Sequence, residues 1–599
     1  MNDVAIPRDD AVVAERLRNA PTPLALLRQT AAARPQHPAV VYLRSANDPA
    51  PAVITYAQLL AEVERAAHAF RAAGVRETDG IAILLPMVPH AISSLIAAAS
   101  VGVAFPINLL LSADAMAPQL ALARTRVVVT MGPHPALDVR ARVDAALARL
   151  SEKPTVVELP LGEPSPGALS WSEFLQSGGG DNSELPVGSD QRGAVLVHTG
   201  GSMGSPKLAE LSQRNLAAGG LMAAAGFGWR ADDRILSGLP LFHVGGAVDA
   251  VMSAIAVGAT VMFPTALGLR NPEVIARFWT IVDESEATIV ASVPTGLAAV
   301  AGSPRQDARL STLRAFVTGG SPLPAELARR LEALSGKPIY QLYGMTESAG
   351  IATAQFIDGE FHAPCGGLPV PLARLSIDEP GRPLQPGQRG EIYISGPNVF
   401  LGYRSGTGVH DGPVDGWVAS GDLGEVTETG EIRIVGRSKD VIIRSGHNID
   451  PLLIEEIAVT HPAVAQAAAI AMPDSYAGEL PVLYVVLKPG AEATAEEIVD
   501  YVGQRIAEPP ARPKAAFILG ELPLTPIGKV ARYRLRQMAA EQRVRMALQD
   551  NPAIAGLECA DGSARRIAVR WRAEATESER RQAERIIAEL GLELAAASE

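Results

Sequence analysis

Short apolar strands alternate with amphipathic helices in the first part of the chain, and this pattern constrains the fold more than any other feature. Residues 56–74 repeat apolar side chains at helical spacing. The sequence then predicts a buried strand at 80–85, a helix at 90–100 and a further strand at 126–130. Apolar strands separated by helices are typical of a parallel sheet that is covered on both faces. We therefore predict an α/β protein with layered sheets.

The pattern changes further along the chain. The α/β alternation returns in residues 186–373, whereas 374–436 contains short strands between Gly and Pro turns, which predicts a small β-barrel or hairpin sheet. A polar link at 437–440 is a candidate hinge before a smaller α+β domain. Residues 564–572 and 576–592 predict an appended strand and helix that serve packing or dimerisation, so a homodimer is one assembly to consider. The expected boundaries are a loose N-terminal arm at 1–21, a large domain at 22–436, a mobile C-terminal domain at 437–543 and a C-terminal extension at 544–599. The large domain is expected to contain three subdomains, at about 22–185, 186–373 and 374–436.

Composition excludes several classes of protein. The chain has 599 residues, is 47% hydrophobic and carries a formal net charge of −12, which argues against nucleic acid and anionic membranes as partners. The two cysteines, Cys365 and Cys559, suit neither a disulfide framework nor a metal site. Residues 1–10 lack the apolar core of a signal peptide, and the longest apolar run, 91–105, is too short to span a membrane. We expect a cytoplasmic enzyme.

A glycine-rich loop follows a strand predicted at 194–197. It reads Thr199-Gly-Gly-Ser-Met-Gly-Ser-Pro-Lys207. Glycines let backbone N–H groups approach an anion, hydroxyls add donors and the lysine adds positive charge, so the loop favours polyphosphate binding. Pro206 excludes a Walker A loop, which has glycine before its lysine. Two other interpretations stay open for the loop alone, a G-x-S-x-G nucleophile elbow with Ser202 as nucleophile and a glycine-rich surface loop.

Six further stretches follow this loop in a fixed order. They are Leu239-Pro-Leu-Phe-His243, Gly319-Gly-Ser-Pro322, Tyr343-Gly-Met-Thr-Glu347, Gly421-Asp422, Gly436-Arg-Ser-Lys-Asp440 and Pro526-Ile-Gly-Lys529. Together with the loop, they resemble the adenylate-forming superfamily of acyl-CoA synthetases, adenylation domains and luciferases over roughly residues 20–540. The resemblance implies a large AMP-binding domain, a small mobile C-terminal domain, and an enzyme that uses ATP, Mg²⁺ and CoA.

The resemblance also implies roles for individual residues. Glu347 is expected to bind Mg²⁺, Thr346 to donate to the α-phosphate, and Lys529 to bridge the substrate carboxylate and the α-phosphate. Asp422 is expected to accept hydrogen bonds from the ribose hydroxyls, with Arg437 beside it. Together with Lys207, the residues Thr346, Glu347 and Lys529 form the expected catalytic set. The full set expected to contact ATP or AMP is Thr199, Gly200, Gly201, Ser202, Gly204, Ser205, Lys207, Gly319, Gly320, Ser321, Pro322, Tyr343, Gly344, Thr346, Asp422, Arg437 and Lys529.

The same resemblance predicts where CoA and the acyl group bind. The expected residues are Ser445, Gly446 and His447 for CoA, His243, Gly245 and Gly246 for the acyl pocket, and Lys439 for the hinge. Small apolar residues at 244–247 and 291–301 predict a roomy, uncharged pocket. Such a pocket favours a fatty or other hydrophobic monocarboxylic acid.

The phosphate loop departs from the pattern of most relatives, Thr-Ser-Gly-Ser-Thr-Gly. Gly200 and Met203 remove two hydroxyls, and Leu208 follows Lys207 where relatives have glycine. Each lost donor to a charged phosphate weakens binding by about 1.5–3 kcal/mol. The expected function is an ATP-dependent acyl-CoA ligase. The alternatives are transfer of the acyl group to a carrier protein, a serine hydrolase that uses Ser202, and a non-catalytic nucleotide-binding relative.

Overall fold

A computed structural model describes most of the chain. The described residues are 6–134, 137–159, 161, 165, 167–179, 185, 188–199, 207–305, 308–321, 323–357, 359, 366–438, 440–445, 447–525, 529–548, 554–560 and 563–595. They divide into two compact units. One contains the described residues up to Thr199, Lys207–Ser420 and Glu425–Ile434, and the other contains Gly421–Gly424 and the described residues from Val435 onward. Within the described ranges, every helix is too short or too polar to cross a membrane.

The helices and strands are numbered in chain order. The helices are α1 (Asp10–Asn19), α2 (Pro23–Ala33), α3 (Tyr56–Ala72), α4 (Pro89–Val101), α5 (Ala113–Leu122), α6 (Val139–Ala148), α7 (Trp171–Ser177), α8 (Gln213–Phe227), α9 (Ser253–Val257), α10 (Pro272–Ala276), α11 (Phe278–Glu284), α12 (Pro294–Ala301), α13 (Ala325–Ser335), α14 (Pro451–Ala458), α15 (Ala495–Arg505), α16 (Arg532–Leu548) and α17 (Glu577–Glu589). A π-helix spans Gly245–Met252, and 3-10 helices span Gly268–Arg270, Thr346–Ser348 and Pro509–Ala511.

The strands are β1 (Pro38–Leu43), β2 (Ala52–Thr55), β3 (Gly80–Leu84), β4 (Val103–Pro106), β5 (Thr125–Met131), β6 (Thr155–Leu159), β7 (Leu169–Ser170), β8 (Gly193–Thr199), β9 (Lys207–Ser212), β10 (Arg234–Ser237), β11 (Thr260–Pro264), β12 (Ile289–Ala291), β13 (Ala315–Thr318), β14 (Ile339–Tyr343), β15 (Thr353–Ala354), β16 (Leu368–Pro369), β17 (Arg374–Ile377), β18 (Arg389–Ser395), β19 (Gly402–Ser405), β20 (Gly408–His410), β21 (Trp417–Val426), β22 (Ile432–Arg437), β23 (Ile442–Arg444), β24 (His447–Ile449), β25 (Val464–Asp474), β26 (Gly478–Leu487), β27 (Ala515–Leu519), β28 (Ile554–Cys559), β29 (Arg566–Trp571) and β30 (Glu593–Leu594).

Two nine-stranded sheets form the first unit. Their orders are β20-β19-β9-β8-β4-β3-β5-β6-β7 and β16-β15-β14-β13-β12-β10-β11-β1-β2. The central strands pair in parallel, as in β3 with β4 and β5, and in β10 with β11 and β12. All five residues of β3 are buried, because helices cover both faces of the sheet. The predicted α/β fold with parallel sheets is confirmed.

Helix α8 follows the glycine-rich loop and strand β9. Ser212 caps its start by accepting from the backbone N–H of Asn215 at 3.1 Å, and the Asn215 side chain accepts from the Ser212 N–H at 2.8 Å. Gly228 ends the helix in the left-handed region, with φ at 74°. Local capping chemistry therefore fixes both ends of this helix.

One local expectation was wrong, and a second was correct only for one of its two alternatives. Residues 10–19 form helix α1 rather than a loose arm, because Val13 and Leu17 are buried in the core and Arg8 donates to the carbonyls of Leu368 and Pro369 at 2.9 and 2.8 Å. Residues 374–436 form the hairpin sheet and not the barrel. Their described strands β17-β18-β21-β22 form an open four-stranded sheet, because β19 joins the nine-stranded sheet by pairing with β9, and β20 pairs with β19.

The second unit contains two small sheets that share helix α16. One sheet has five strands. Four of them have the order β24-β23-β26-β25, and the fifth, β27, pairs with β26 in parallel. A three-stranded sheet, β28-β29-β30, packs with α17 as the predicted β–α extension. Leu535 and Ala539 of α16 pack against the first sheet, whereas Ala540, Val544 and Leu548 pack against the extension.

A buried ion pair joins strands β9 and β19 of the first unit. Arg404 donates through Nε and Nη2 to the two carboxylate oxygens of Glu210, at 2.6 and 2.5 Å. We expect Arg404→Leu to lower the free energy of unfolding by about 3–5 kcal/mol, because it strips a buried carboxylate of its partner. Urea denaturation measures this change. Arg433→Leu removes an exposed arginine that lies 3.7 Å from Glu425, and it should cost less than about 1 kcal/mol. Equal urea midpoints for the two variants would contradict a stabilising role for the buried pair.

Candidate active site

The carboxyl ends of four neighbouring strands lie together at one edge of the second nine-stranded sheet. β14, β13, β12 and β10 are adjacent and parallel. The stretches that follow them are 343–347, 319–321, 292–296 and 239–243. Ligands of open α/β sheets bind in the crevice outside the carboxyl ends of the strands. The topology therefore brings three of the predicted motifs to one edge.

Two buried hydroxyls lie at this edge without hydrogen-bond partners among the described residues. They are Ser292, directly after β12, and Thr318, the last residue of β13. The Ser292 N–H donates to the carbonyl of Val317 at 3.1 Å, so the two hydroxyl-bearing residues lie side by side in the register of the sheet. Unmatched donors in a buried place need an explanation, and a bound polar ligand is one.

The Thr346–Ser348 turn is held by close packing and by one asparagine. A Cβ at Gly344 would lie 2.0 Å from the carbonyl oxygen of Gly350, so only glycine fits where these two backbone segments cross. Asn398 donates through Nδ2 to the carbonyls of Ser348 and Ile351 at 2.7 and 2.6 Å. The turn is therefore fixed on both sides, and its residues Thr346 and Glu347 are buried.

Glu347 is paired with a tyrosine that the sequence did not indicate. The Tyr403 hydroxyl donates to Glu347 Oε1 at 2.6 Å, and the backbone N–H of Phe400 donates to the Glu347 carbonyl at 2.9 Å. Burial and the charge of Glu347 together raise the pKa of the Tyr403 hydroxyl far above its usual range. The hydroxyl therefore stays protonated and acts as a donor at any physiological pH.

Lys207 completes this group from the side of the glycine-rich loop. Its Nζ lies 4.5 Å from the centre of the Tyr403 ring and 3.8 Å from Asp411 Oδ2. About half of its side chain is exposed, at 54%. Tyr403 thus contacts the carboxylate of Glu347 through its hydroxyl and the Lys207 ammonium group through its ring.

The glycine-rich loop connects two antiparallel strands. Thr199 is the last residue of β8 and lies opposite Lys207, the first residue of β9. A nucleophile elbow requires a strand, a turn and then a helix. The serine hydrolase interpretation of Ser202 was therefore wrong about the flanking structure. The expected contacts of the loop itself lie outside the described residues, namely those of Gly200, Gly201, Ser202, Gly204 and Ser205.

Other predicted nucleotide residues of the first unit occupy strand ends. Tyr343 is the last residue of β14 and is 8% exposed. Gly320 has φ at 78°, and a Cβ at Gly319 would lie 2.5 Å from Leu342 Cγ, so the backbone after β13 runs close to β14. Ser321 follows in the same turn. Pro322 lies outside the described residues.

The predicted acyl residues follow β10. His243 Nδ1 accepts from the Gly245 N–H at 3.2 Å, and a Cβ at Gly246 would lie 2.2 Å from the Pro240 carbonyl oxygen. His243, Val244 and Ala247 line an apolar cavity of about 10 Å³ with side chains from α4, β8 and α8. The cavity is lined by Val244 and Ala247 of the predicted stretch 244–247 but by no residue of 291–301, so it represents only part of the predicted acyl pocket.

In the second unit, Asp422 and Arg437 form the predicted pair. Arg437 Nε lies 3.1 Å from Asp422 Oδ1, and the arginine is 64% exposed whereas the aspartate side chain is 10% exposed. The Ser438 N–H donates to the Gly421 carbonyl at 2.9 Å and holds the two segments together. The arrangement leaves a carboxylate next to a solvent-facing cation.

Lys529, Ser445 and His447 lie in the same unit. The Lys529 N–H donates to Thr525 Oγ1 at 3.0 Å, and the Lys529 carbonyl accepts from the Thr525 N–H at 2.6 Å. Ser445 has φ at 49° and lies in the hairpin turn between β23 and β24, and exposed His447 follows in β24. Gly446 and the hinge residue Lys439 lie outside the described residues.

The donor set at Glu347 fits Mg²⁺. The ion takes one or two carboxylates and fills its octahedral shell with phosphate oxygens and water. No group of three or more His, Cys, Asp or Glu side chains that could hold a metal occurs among the described residues. A single buried carboxylate suits an ion that is bound jointly with a polyphosphate rather than by a protein cage.

Family comparisons agree with the motif order. Residues 27–404 match the model of the AMP-binding enzyme family, and residues 453–529 match its C-terminal domain. Marinolic acid–CoA ligase of Pseudoalteromonas sp. (strain SANK 73390) is 31% identical over 83% of this chain and 77% of its own length. Indoleacetate–CoA ligase of Aromatoleum aromaticum is 32% identical over 82% of this chain and 94% of its own length.

Solved structures share the fold. ATP-bound MatB from Rhodopseudomonas palustris aligns with a TM-score of 0.73 and 24% identity, over 89% of this chain and 99% of that one. MenE from Bacillus subtilis in complex with the acyl-adenylate intermediate OSB-AMP aligns with a TM-score of 0.69 and 25% identity. The alignment covers 85% of this chain and 97% of that one. The chain therefore belongs to the adenylate-forming superfamily, as an AMP-binding enzyme of the acid–thiol ligase class.

Proposed function

We propose that this protein is an ATP-dependent acyl-CoA ligase for hydrophobic monocarboxylic acids. One observation carries the proposal, the grouping of Glu347, Tyr403 and Lys207 next to the fixed turn at Thr346. The protonated hydroxyl of Tyr403 orients the buried carboxylate of Glu347. The ammonium group of Lys207 adds positive charge next to the ring of the same tyrosine. This is the set of groups that a metal-bound polyphosphate requires.

The reaction has two steps. The carboxylate oxygen of the acid attacks the α-phosphorus of ATP, the bond to the β-phosphate oxygen breaks, and pyrophosphate leaves. The thiolate of CoA then attacks the acyl carbonyl, the bond to the phosphate oxygen breaks, and AMP leaves. The first step brings negative groups together, so its barrier depends on cations and fixed donors near the α-phosphate.

Each predicted residue would contact a different part of the bound ATP. Lys207 would hold the outer phosphates, Thr346 would donate to the α-phosphate, and Glu347 would bind Mg²⁺. When bound, Mg²⁺ neutralises charge on the phosphate oxygens. Asp422 would accept from the ribose hydroxyls, with the Arg437 guanidinium beside it.

The apolar cavity beside His243 supports a hydrophobic acid. Its lining is apolar apart from His243, and its volume of about 10 Å³ is smaller than an acyl group. A fatty acid would therefore bind there only after the lining side chains move. The relatives are named for varied acids, including indoleacetate and, in Bacillus subtilis, long-chain fatty acids.

A pyrophosphate-release assay tests the proposal. The purified protein is given ATP, Mg²⁺ and a panel of acids from acetate and sulfoacetate to octanoate, palmitate and phenylacetate, with and without CoA. We expect hydrophobic acids to release pyrophosphate and to give an acyl-CoA thioester. Activity with short or charged acids alone would overturn the substrate class. AMP release without thioester on CoA would favour a carrier protein, and ATP binding without pyrophosphate release would indicate a non-catalytic relative.

Tyr403→Phe removes the hydrogen bond to Glu347 and keeps the ring beside Lys207. A hydrogen bond to a charged group contributes about 1.5–3 kcal/mol, so acid-dependent pyrophosphate exchange should fall by about 10- to 150-fold. Saturation with Mg²⁺ should also require a higher concentration. Tyr393→Phe is the matched control, because Tyr393 hydrogen-bonds a different carboxylate, that of Glu391, in strand β18 of the same unit. An equal effect of both substitutions would exclude a positioning role for Tyr403.

A further inference from the structure

Asp249 lies in the π-helix that follows His243. The helix spans Gly245–Met252 and leads from β10 through α9 to β11. Asp249 is 4% exposed, and its neighbours Val248, Ala250 and Val251 are buried apolar residues. π-Helical turns are rare and occur frequently at functional sites. A carboxyl group in this place is unexpected, because the residues next to it in the helix are apolar and buried.

The carboxyl group of Asp249 touches the segment that carries Thr346 and Glu347. A Cβ at Gly350 would lie 2.5 Å from Asp249 Oδ1 and 2.7 Å from Oδ2, so the carboxyl group fills the space of a side chain at that position. The Gly350 N–H donates to the carbonyl of Met345 at 2.9 Å and thereby closes the turn. Asp249 therefore lies between the helix on the acyl side and the turn on the phosphate side.

One oxygen of this group has no partner. Asp249 Oδ1 makes no hydrogen bond to any of the described residues, although it is shielded from solvent. Complete burial raises the pKa of the Asp249 carboxyl well above its usual range. A buried acceptor without a donor costs free energy that a ligand with a donor would recover.

We propose that Asp249 is a specificity-determining residue that accepts a hydrogen bond from a hydroxyl on the acyl group, so that the preferred substrates are hydrophobic hydroxy acids. This inference rests on the proposed ligase function and narrows its substrate class. A hydroxyl fits better than an ammonium group, because the side chains next to Asp249 in the helix are apolar, and burying a charged group among them costs more free energy than burying a hydroxyl. Sites that hydrogen-bond a substrate hydroxyl discriminate strongly against the analogue that lacks it.

Matched pairs of acids test the inference. The pairs are 12-hydroxydodecanoate with dodecanoate, 3-hydroxydecanoate with decanoate, and 4-hydroxyphenylacetate with phenylacetate. We expect the wild type to prefer the hydroxylated member of at least one pair by 10-fold or more in kcat/KM for pyrophosphate release. Asp249→Leu, which keeps the size but removes the acceptor, should abolish or reverse that preference. Asp249→Asn, which keeps an acceptor oxygen, should retain it.

Controls separate this inference from the proposed function. Asp232→Leu removes an exposed carboxylate of the same unit and should leave the preference unchanged. Thermal unfolding shows whether each variant is folded, and Asp249→Ala replaces the leucine variant if that one is not. A wild type without preference in every pair, or the same preference in wild type and Asp249→Leu, would overturn the inference while the ligase function stands. No pyrophosphate release with any acid would instead defeat the proposed function.

Discussion

Lys529→Ala is expected to reduce acid-dependent pyrophosphate exchange by about 100- to 1,000-fold, the usual effect of removing one charged or donor group aimed at the transition state. The lysine would offset the repulsion between the substrate carboxylate and the α-phosphate. That repulsion disappears once the acyl-adenylate has formed. Thioester formation from a supplied acyl-adenylate should therefore change much less than pyrophosphate exchange, and comparing the two rates in one preparation measures the difference.

The turn that holds Lys529 should survive this substitution. Its hydrogen bonds to Thr525 use the backbone N–H and carbonyl of Lys529 and not its ammonium group. Lys514→Ala removes an exposed lysine of the same unit and serves as the matched control. An unchanged exchange rate in Lys529→Ala would remove this residue from the mechanism, and equal losses in both half-reactions would point to a structural effect.

Glu347→Gln should reduce pyrophosphate exchange by at least about 100-fold, because an amide lacks the charge that Mg²⁺ requires of its carboxylate ligand. The substitution keeps the side-chain shape and an oxygen that can still accept from Tyr403. Raising the Mg²⁺ concentration should restore part of the rate. Steady-state exchange measured over a Mg²⁺ series gives both the maximal rate and the half-saturating concentration.

The control for Glu347→Gln is Glu273→Gln, which makes the same change at an exposed position in α10. It should leave the exchange rate within about twofold of wild type. A Glu347→Gln enzyme that saturates at the same Mg²⁺ concentration as wild type would contradict the proposed metal ligand. A lower melting temperature for that variant alone would indicate a structural role for the Glu347–Tyr403 hydrogen bond.

The fold could be predicted where local sequence determines local structure. Apolar periodicity located β3 and α4 to within one or two residues, since their burial follows directly from the run of side chains. Helix α1 was missed, because its composition is charged and only two of its residues, Val13 and Leu17, are buried by tertiary packing. The expected barrel failed for a related reason. Pairing of β19 with β9 joins strands almost two hundred residues apart, as Arg404 and Glu210 illustrate.

The candidate site was predictable only in part. The motif order predicted Glu347 and Lys207 from residue types that match the chemistry of polyphosphate, and the structure places both side chains next to Tyr403. Tyr403 lies 56 residues from Glu347 in the chain, and nothing in its own surroundings in the sequence indicated the hydrogen bond that joins them. Asp249 lies within an apolar stretch of the sequence. An acidic residue is rare in such a stretch, and this is the signal that could have identified it.

Helix α16 has an apolar surface on two sides, and this decides how the protein can be shortened. A chain cut after residue 548 would end near the last family match at 529 and would still contain every predicted catalytic residue. It would leave Ala540, Val544 and Leu548 facing water, since the β28–β30 sheet no longer covered them. Such a fragment is expected to aggregate or to lose helix at its end. Purification tags and fusion partners therefore belong after the extension and not in its place.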